Sequence, residues 1–89
     1  MKRFWILTFC DFVKYGFGTK SVFLFDDKEQ AINKMKQMFE EKAKELEYDL
    51  PENYFEGNPN TYGWEFGSDY AYFNNFYYWD IFNTDLYQN

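Results

Sequence analysis

Two apolar runs, residues 4–13 and 21–25, are separated by residues 14–20, where Gly16 and Gly18 offer turn positions. Apolar, β-prone residues bounded by glycines predict a β-hairpin within residues 1–25. Neither run alternates cleanly between apolar and polar positions, as expected of strands covered on both faces or central in a sheet. Cys10 falls inside the first run and reads as a small buried hydrophobe.

The period changes after Phe25. Ile32, Met35, Phe39, Ala43 and Leu46 recur at helical spacing, and Ala31 and Met38 widen the stripe. Lys34, Lys36, Glu40, Glu41, Lys44, Glu45 and Glu47 ring the remainder as a solvated face, with Glu40 and Lys44 in the favourable i, i+4 order. Asp26 and Asp27 each precede Glu29 or Gln30 by three residues, so either register completes a capping box. Pro51 disfavours helical geometry at Leu50, and the predicted helix covers residues 26–48. Residues 49–61 hold two prolines, Gly57 and three asparagines, the composition of a loop.

Alternation then returns. Tyr62, Trp64 and Phe66 interleave with Gly63, Glu65 and Gly67, a strand with one aromatic face. Residues 70–73 and 76–81 flank Asn74-Asn75, which predicts a two-residue hairpin loop. That loop pairs Phe73 with Phe76, Tyr72 with Tyr77 and Tyr70 with Trp79. One face would carry Tyr70, Tyr72, Tyr77, Trp79 and Ile81, the other Asp69, Ala71, Phe73, Phe76, Tyr78 and Asp80. A single helix covers only one side of a small sheet, so the second side falls to the 49–61 loop, a homodimer or a binding partner. The face with acidic ends is the expected outer one. The fold class predicted is α+β, one two-layer domain: an antiparallel sheet of two hairpins with one long helix on one face, in the order ββα and then two or three strands. Aromatic strands fill residues 62–82, and a tail follows at 83–89.

Length and composition fit that plan. A chain of 89 residues buries only about 60 to 65% of its unfolded surface, so its core must be efficient. Twelve Phe, nine Tyr and three Trp supply it. The excess of Phe, Tyr, Asn and Lys over Ala, Gly, Pro and Arg also fits an AT-rich coding genome. Charge is uneven: residues 1–25 carry a net +3, residues 26–48 a net −2 and residues 49–89 a net −7. No lysine or arginine follows Lys44. Phosphates would be repelled, which argues against nucleic acid as a direct ligand and for a basic protein as partner.

Cys10 is the only cysteine, which excludes an intramolecular disulfide and suits a reducing interior. The apolar run after Lys2 and Arg3 is shorter than a signal core, and no run approaches the roughly 18 to 20 apolar residues of a membrane span. A cytoplasmic protein without membrane contact is expected.

Histidine is absent, and with it the commonest general base and metal ligand. Ser21 and Ser68 have no recognisable base, Cys10 has no His partner, and no phosphate-binding glycine loop, zinc spacing or calcium loop occurs. The chain therefore reads as non-enzymatic, with no cofactor and no metal. What remains is Glu52, Glu56, Glu65, Asp69, Asp80 and Asp85 interleaved with Tyr54, Tyr62, Trp64, Tyr70, Tyr72, Tyr77, Tyr78 and Trp79. Such carboxylates solubilise a tyrosine-rich domain, or they stand in for phosphates before lysines and arginines. Glu65 and Asp69 would be roughly 13 Å apart if one strand held both. The partner-binding set expected is Glu52, Glu56, Glu65, Asp69, Asp80, Asp85, Tyr62, Trp64 and Tyr78, with arginine stacking on exposed rings.

Small size, acidity, lack of catalytic residues and an AT-rich composition resemble the anti-defence proteins of phages and mobile elements, including anti-CRISPR proteins and anti-restriction DNA mimics. The resemblance implies an inhibitor that blocks the nucleic-acid channel of a defence nuclease in the host cytoplasm. The basic first hairpin departs from that pattern by making the negative field one-sided. Two other classes compete: a cellular interaction or self-assembly module using the aromatic sheet face, and carbohydrate binding by ring platforms beside Asp and Asn.

Overall fold

A computed structural model of the chain describes residues 4–12, 19–52, 54–56, 63–74 and 76–83. Its elements are strands β1 (Trp5–Asp11) and β2 (Thr19–Phe25), helix α1 (Lys28–Glu45), a 3-10 turn (Tyr54–Glu56) and strands β3 (Trp64–Phe66), β4 (Tyr70–Phe73) and β5 (Tyr77–Asn83). The strands form one antiparallel sheet in the order β2-β1-β5-β4-β3. The α+β architecture, with ββα followed by three strands and the helix on one face, is as the sequence predicts. The predicted turn at residues 14–20 lies largely outside the described residues, as does most of the tail.

β1 is central, paired with β2 on one side and β5 on the other. This accounts for its lack of alternation: Leu7 and Thr8 are consecutive and both buried. The helix begins where Asp27, in extended conformation, accepts the Gln30 N–H at 2.8 Å, which settles the capping register. It ends three residues short of the predicted Tyr48. Glu47 adopts φ 62°, its N–H donates to Lys44 O at 3.2 Å, and the Tyr48 N–H donates to Ala43 O at 2.8 Å. This is a Schellman closure, made without the usual glycine, and it acts upstream of Pro51.

The buried helical positions are Ala31, Met35, Phe39 and Ala43, drawn from the predicted stripe. Phe39 is the hub of the core. Its ring lies 4.3 Å from Phe73, 5.1 Å from Phe66, 5.5 Å from Tyr54, 5.7 Å from Trp79 and 5.9 Å from Trp64, centroid to centroid. Stacked and edge-to-face pairs of this kind add about 0.5 to 1.5 kcal/mol each to the burial itself. Tyr54 brings the loop after α1 onto this same side, where its hydroxyl donates to Glu40 and its ring stacks on Phe39. The described part of the 49–61 segment therefore packs beside the helix and leaves the opposite face of the sheet open.

One prediction needs correction. Phe73 pairs with Tyr77, Tyr72 with Tyr78, Ala71 with Trp79 and Tyr70 with Asp80, so three residues, 74–76, connect β4 and β5. The two-residue loop was one residue too short, and a one-residue slip inverts one strand relative to its neighbour. Non-local ties set the register. The Asn74 N–H donates to Gly63 O at 2.6 Å, and the Tyr48 hydroxyl donates to Asn74 Oδ1 at 3.1 Å, with Asn74 at φ 56°. Gly63 itself sits at φ 82°, where an added Cβ would stand 2.7 Å from Asn74 Oδ1.

Candidate functional site

Register and pleat assign every strand residue to a side. Trp5, Leu7, Phe9, Phe23, Phe25, Trp64, Phe66, Ala71, Phe73, Tyr77, Trp79 and Ile81 face the helix. The outer face has three rungs. Lys20, Cys10, Tyr78, Tyr72 and Glu65 form one; Val22, Thr8, Asp80 and Tyr70 the next; Leu24, Ile6 and Phe82 the third. The face is thus divided, aliphatic over β2 and the lower part of β1, tyrosine and carboxylate over β5, β4 and β3.

The tyrosine–carboxylate corner is built in layers. Tyr72 and Tyr78 stack nearly parallel, 5° apart with centroids at 6.2 Å. Tyr70 lies against Gly67, where a Cβ would stand 2.5 Å from the ring, and its hydroxyl donates to Glu65 Oε2. That hydrogen bond, with some desolvation and the Glu65 charge, raises the Tyr70 phenol from 10.0 to about 12. Desolvation raises Tyr72 and Tyr78 as well, with Glu65 acting on the first and Asp80, Tyr72, Asp69 and Glu65 on the second. Asp80 is shifted upward mainly by desolvation and then by the charge of Asp69, against a lowering pull from Lys20. Glu65, Asp69, Asp80 and the three tyrosines thus share one electrostatic neighbourhood.

Lys20, at the β2 end of the first rung, is the strand lysine that shares this face and acts on Asp80; the lysines that lie over rings are elsewhere. Lys28 lies over Trp5 at 5.4 Å, Lys34 over Phe23 at 5.4 Å, Lys36 over Phe55 at 4.3 Å and Lys42 over Tyr77 at 4.4 Å, all from the helix and on its side of the sheet. Among the described residues, no lysine makes an ion pair with Glu65, Asp69 or Asp80.

The expected set is only partly brought together. Glu65, Asp69, Asp80 and Tyr78 gather at the corner. Glu52 is exposed, but on the segment leading into the 3-10 turn, away from it. Trp64 is corrected from a contact residue to a core one: it is 3% exposed and packs edge-on against Phe39. Of the wider constellation, Tyr54, Tyr77 and Trp79 are core too. Tyr62, Asp85 and the side chain of Glu56 lie outside the described residues. Glu65 and Asp69 do not share a strand, since β3 ends at Phe66 and Asp69 sits in the bend before β4. Tyr70 and Tyr72 belong to the site although the predicted register, by pairing them with Tyr77 and Trp79, set them on the opposite side. A three-residue loop at residues 74–76 places them there.

Among the described residues, no group of His, Cys, Asp and Glu is arranged to hold a metal ion, and no helix is long and apolar enough to cross a membrane. The chain matches no family model, no curated protein and no solved structure.

Proposed function

We propose that the protein is a non-catalytic binding module that docks the tyrosine–carboxylate corner of its open sheet face onto a cationic protein surface. The observation that carries this reading is the convergence of Glu65, Asp69 and Asp80 with Tyr70, Tyr72 and Tyr78 on the side the helix does not cover. Rings of this kind give rigid contact area at low entropic cost, and guanidinium groups stack on them while pairing with adjacent carboxylates. A nucleic-acid-binding protein, such as a defence nuclease, is the partner class that surface suits, because its lysines and arginines are already arranged for phosphates. Inhibition would follow from occupancy of that surface.

An arginine-rich peptide tests the reading directly. Titrated into labelled protein at low salt, it should shift the resonances of Tyr70, Tyr72, Tyr78 and Glu65 before those of the equally acidic helix positions Glu40, Glu41 and Glu45, and the shifts should fade as salt rises. Glu65→Lys with Asp69→Lys should remove them. Equal shifts on helix and corner, or shifts that survive the double substitution, would count against the assignment.

A further inference from the structure

The other half of the open face leads to a different contact. β2 is an edge strand of seven residues, and among the described residues no strand pairs with its outer side. The Phe12 N–H donates to Phe76 O at 2.8 Å, continuing the β1–β5 ladder. That bond fixes the parity: even-numbered residues of β1 bond to β5 and odd-numbered ones to β2. Through the pairing of Leu7 with Phe23, the odd-numbered residues of β2 are those bonded to β1. The N–H and C=O groups of Lys20, Val22 and Leu24 therefore point at the open edge. Val22 and Leu24 are also the most exposed large aliphatic side chains of the described residues, at 59% and 64%. β2 contains no proline, and Lys20 is its only charged residue. A long apolar edge of this kind is a template for another strand.

We infer that this edge pairs with β2 of a second copy of the chain, joining two sheets into one continuous ten-stranded sheet. A two-fold axis through Val22 sets Val22 against Val22 and Lys20 against Leu24 of the partner. Every outward N–H and C=O of residues 20, 22 and 24 then finds a mate, and Val22 and Leu24 of the two copies become neighbours on one surface.

Charge is compatible with this contact, because pairing at β2 places the two acidic corners at opposite ends of the joined sheet and sets each Lys20 against a leucine. Glu65 lies four strand spacings from β2, about 19 Å, well beyond the roughly 8 Å screening length at physiological salt. The other edge, β3, is only three residues long and has the 3-10 turn against it.

Sedimentation of the intact chain from about 1 to 200 µM, at low and high salt, tests the pairing. A monomer–dimer equilibrium with micromolar Kd is expected, in keeping with a contact of modest area, and it should tighten with salt as the repulsion between two net charges of −6 is screened. Val22→Lys with Leu24→Lys opposes like charges across the axis and should weaken the dimer at least about 30-fold. Val22→Pro should do the same, since it removes an outward N–H and no bond to β1. Tyr72→Ala with Tyr78→Ala should leave the dimer unchanged. Circular dichroism identifies any variant that has lost the sheet, and the double lysine variant carries the test if the proline variant is unfolded. A wild-type chain that stays monomeric throughout, or a dimer that persists in the lysine variant and is lost in the tyrosine variant, would overturn the inference. The salt response runs opposite to that expected for docking a cationic partner, so the two readings fail separately.

Discussion

The two faces of this sheet are made from the same kinds of residue and put them to different use. On the helix side, rings from three strands and the 3-10 turn close around Phe39 of the helix with centroid separations of 4.3 to 5.9 Å, and all are below 10% exposed. On the outer side, among the described residues, Tyr72 and Tyr78 stack only on each other, Phe82 is 40% exposed, and the Tyr70 hydroxyl meets a carboxylate instead of a ring. Parity along a strand decides which role a ring takes. Tyr77 and Tyr78 are adjacent in the chain and similar in chemistry, and one is buried under Lys42 while the other faces outward. An aromatic excess is thus no measure of a binding surface until the register is known.

Substitutions should separate the faces in order of size. Phe39→Ala opens a cavity against five rings and should cost about 3 to 5 kcal/mol, a large share of the 5 to 15 kcal/mol total of a small domain, read by chemical denaturation. A loss below about 1 kcal/mol would mean that the hub is not the centre of the core. Tyr54→Phe removes the hydroxyl bond to Glu40 and keeps the ring stack, and should cost about 1 kcal/mol because Glu40 stays in contact with water. Tyr78→Ser and Phe82→Ser on the outer face should each cost about 1 kcal/mol, far less than Phe39→Ala, since both rings are only partly covered.

Titration sharpens the contrast further. The folded state holds the Asp80 proton more tightly than the 3.8 of the free side chain, so the unfolded chain binds fewer protons wherever the two differ. Stability from this group is full below pH 3.8 and falls as pH rises through the elevated folded value. Asp80→Asn should therefore raise the melting temperature relative to the parent at pH 7 and give no such gain at pH 3. The smallest effect is spectroscopic: Glu65→Gln should bring the Tyr70 phenol from about 12 back toward 10.0, followed by tyrosinate absorbance.

What the sequence showed and what it hid divide along the range of the interactions. The helix, a cap at Asp26 or Asp27 and the burial of Met35, Phe39 and Ala43 follow from spacings of three and four residues, which are local. The β3 alternation correctly set Trp64 and Phe66 on one side with Glu65 on the other. Alternation alone does not say which side the helix takes, so it leaves Trp64 equally suited to the surface and to the core. The β1–β5 pairing leaves no local trace, because Leu7 and Ile81 meet across almost the whole chain. The loop at Asn74 is longer than its two asparagines predict because its length is set by Gly63 and Tyr48, residues from two distant segments. That single residue of slip concealed the grouping of Tyr70 and Tyr72 with Tyr78 and Asp80.

The position of β5 has a further consequence for how the molecule is made. It is the last of the described strands in chain order, yet it lies mid-sheet and joins β2-β1 to β4-β3. A nascent polypeptide that has emerged only as far as Phe73 holds two unconnected fragments, with Leu7 and Phe39 still lacking the Trp79 and Ile81 wall. Closure waits for β5 to be made, and until then the aromatic residues already outside the ribosome are most open to misassociation or chaperone capture.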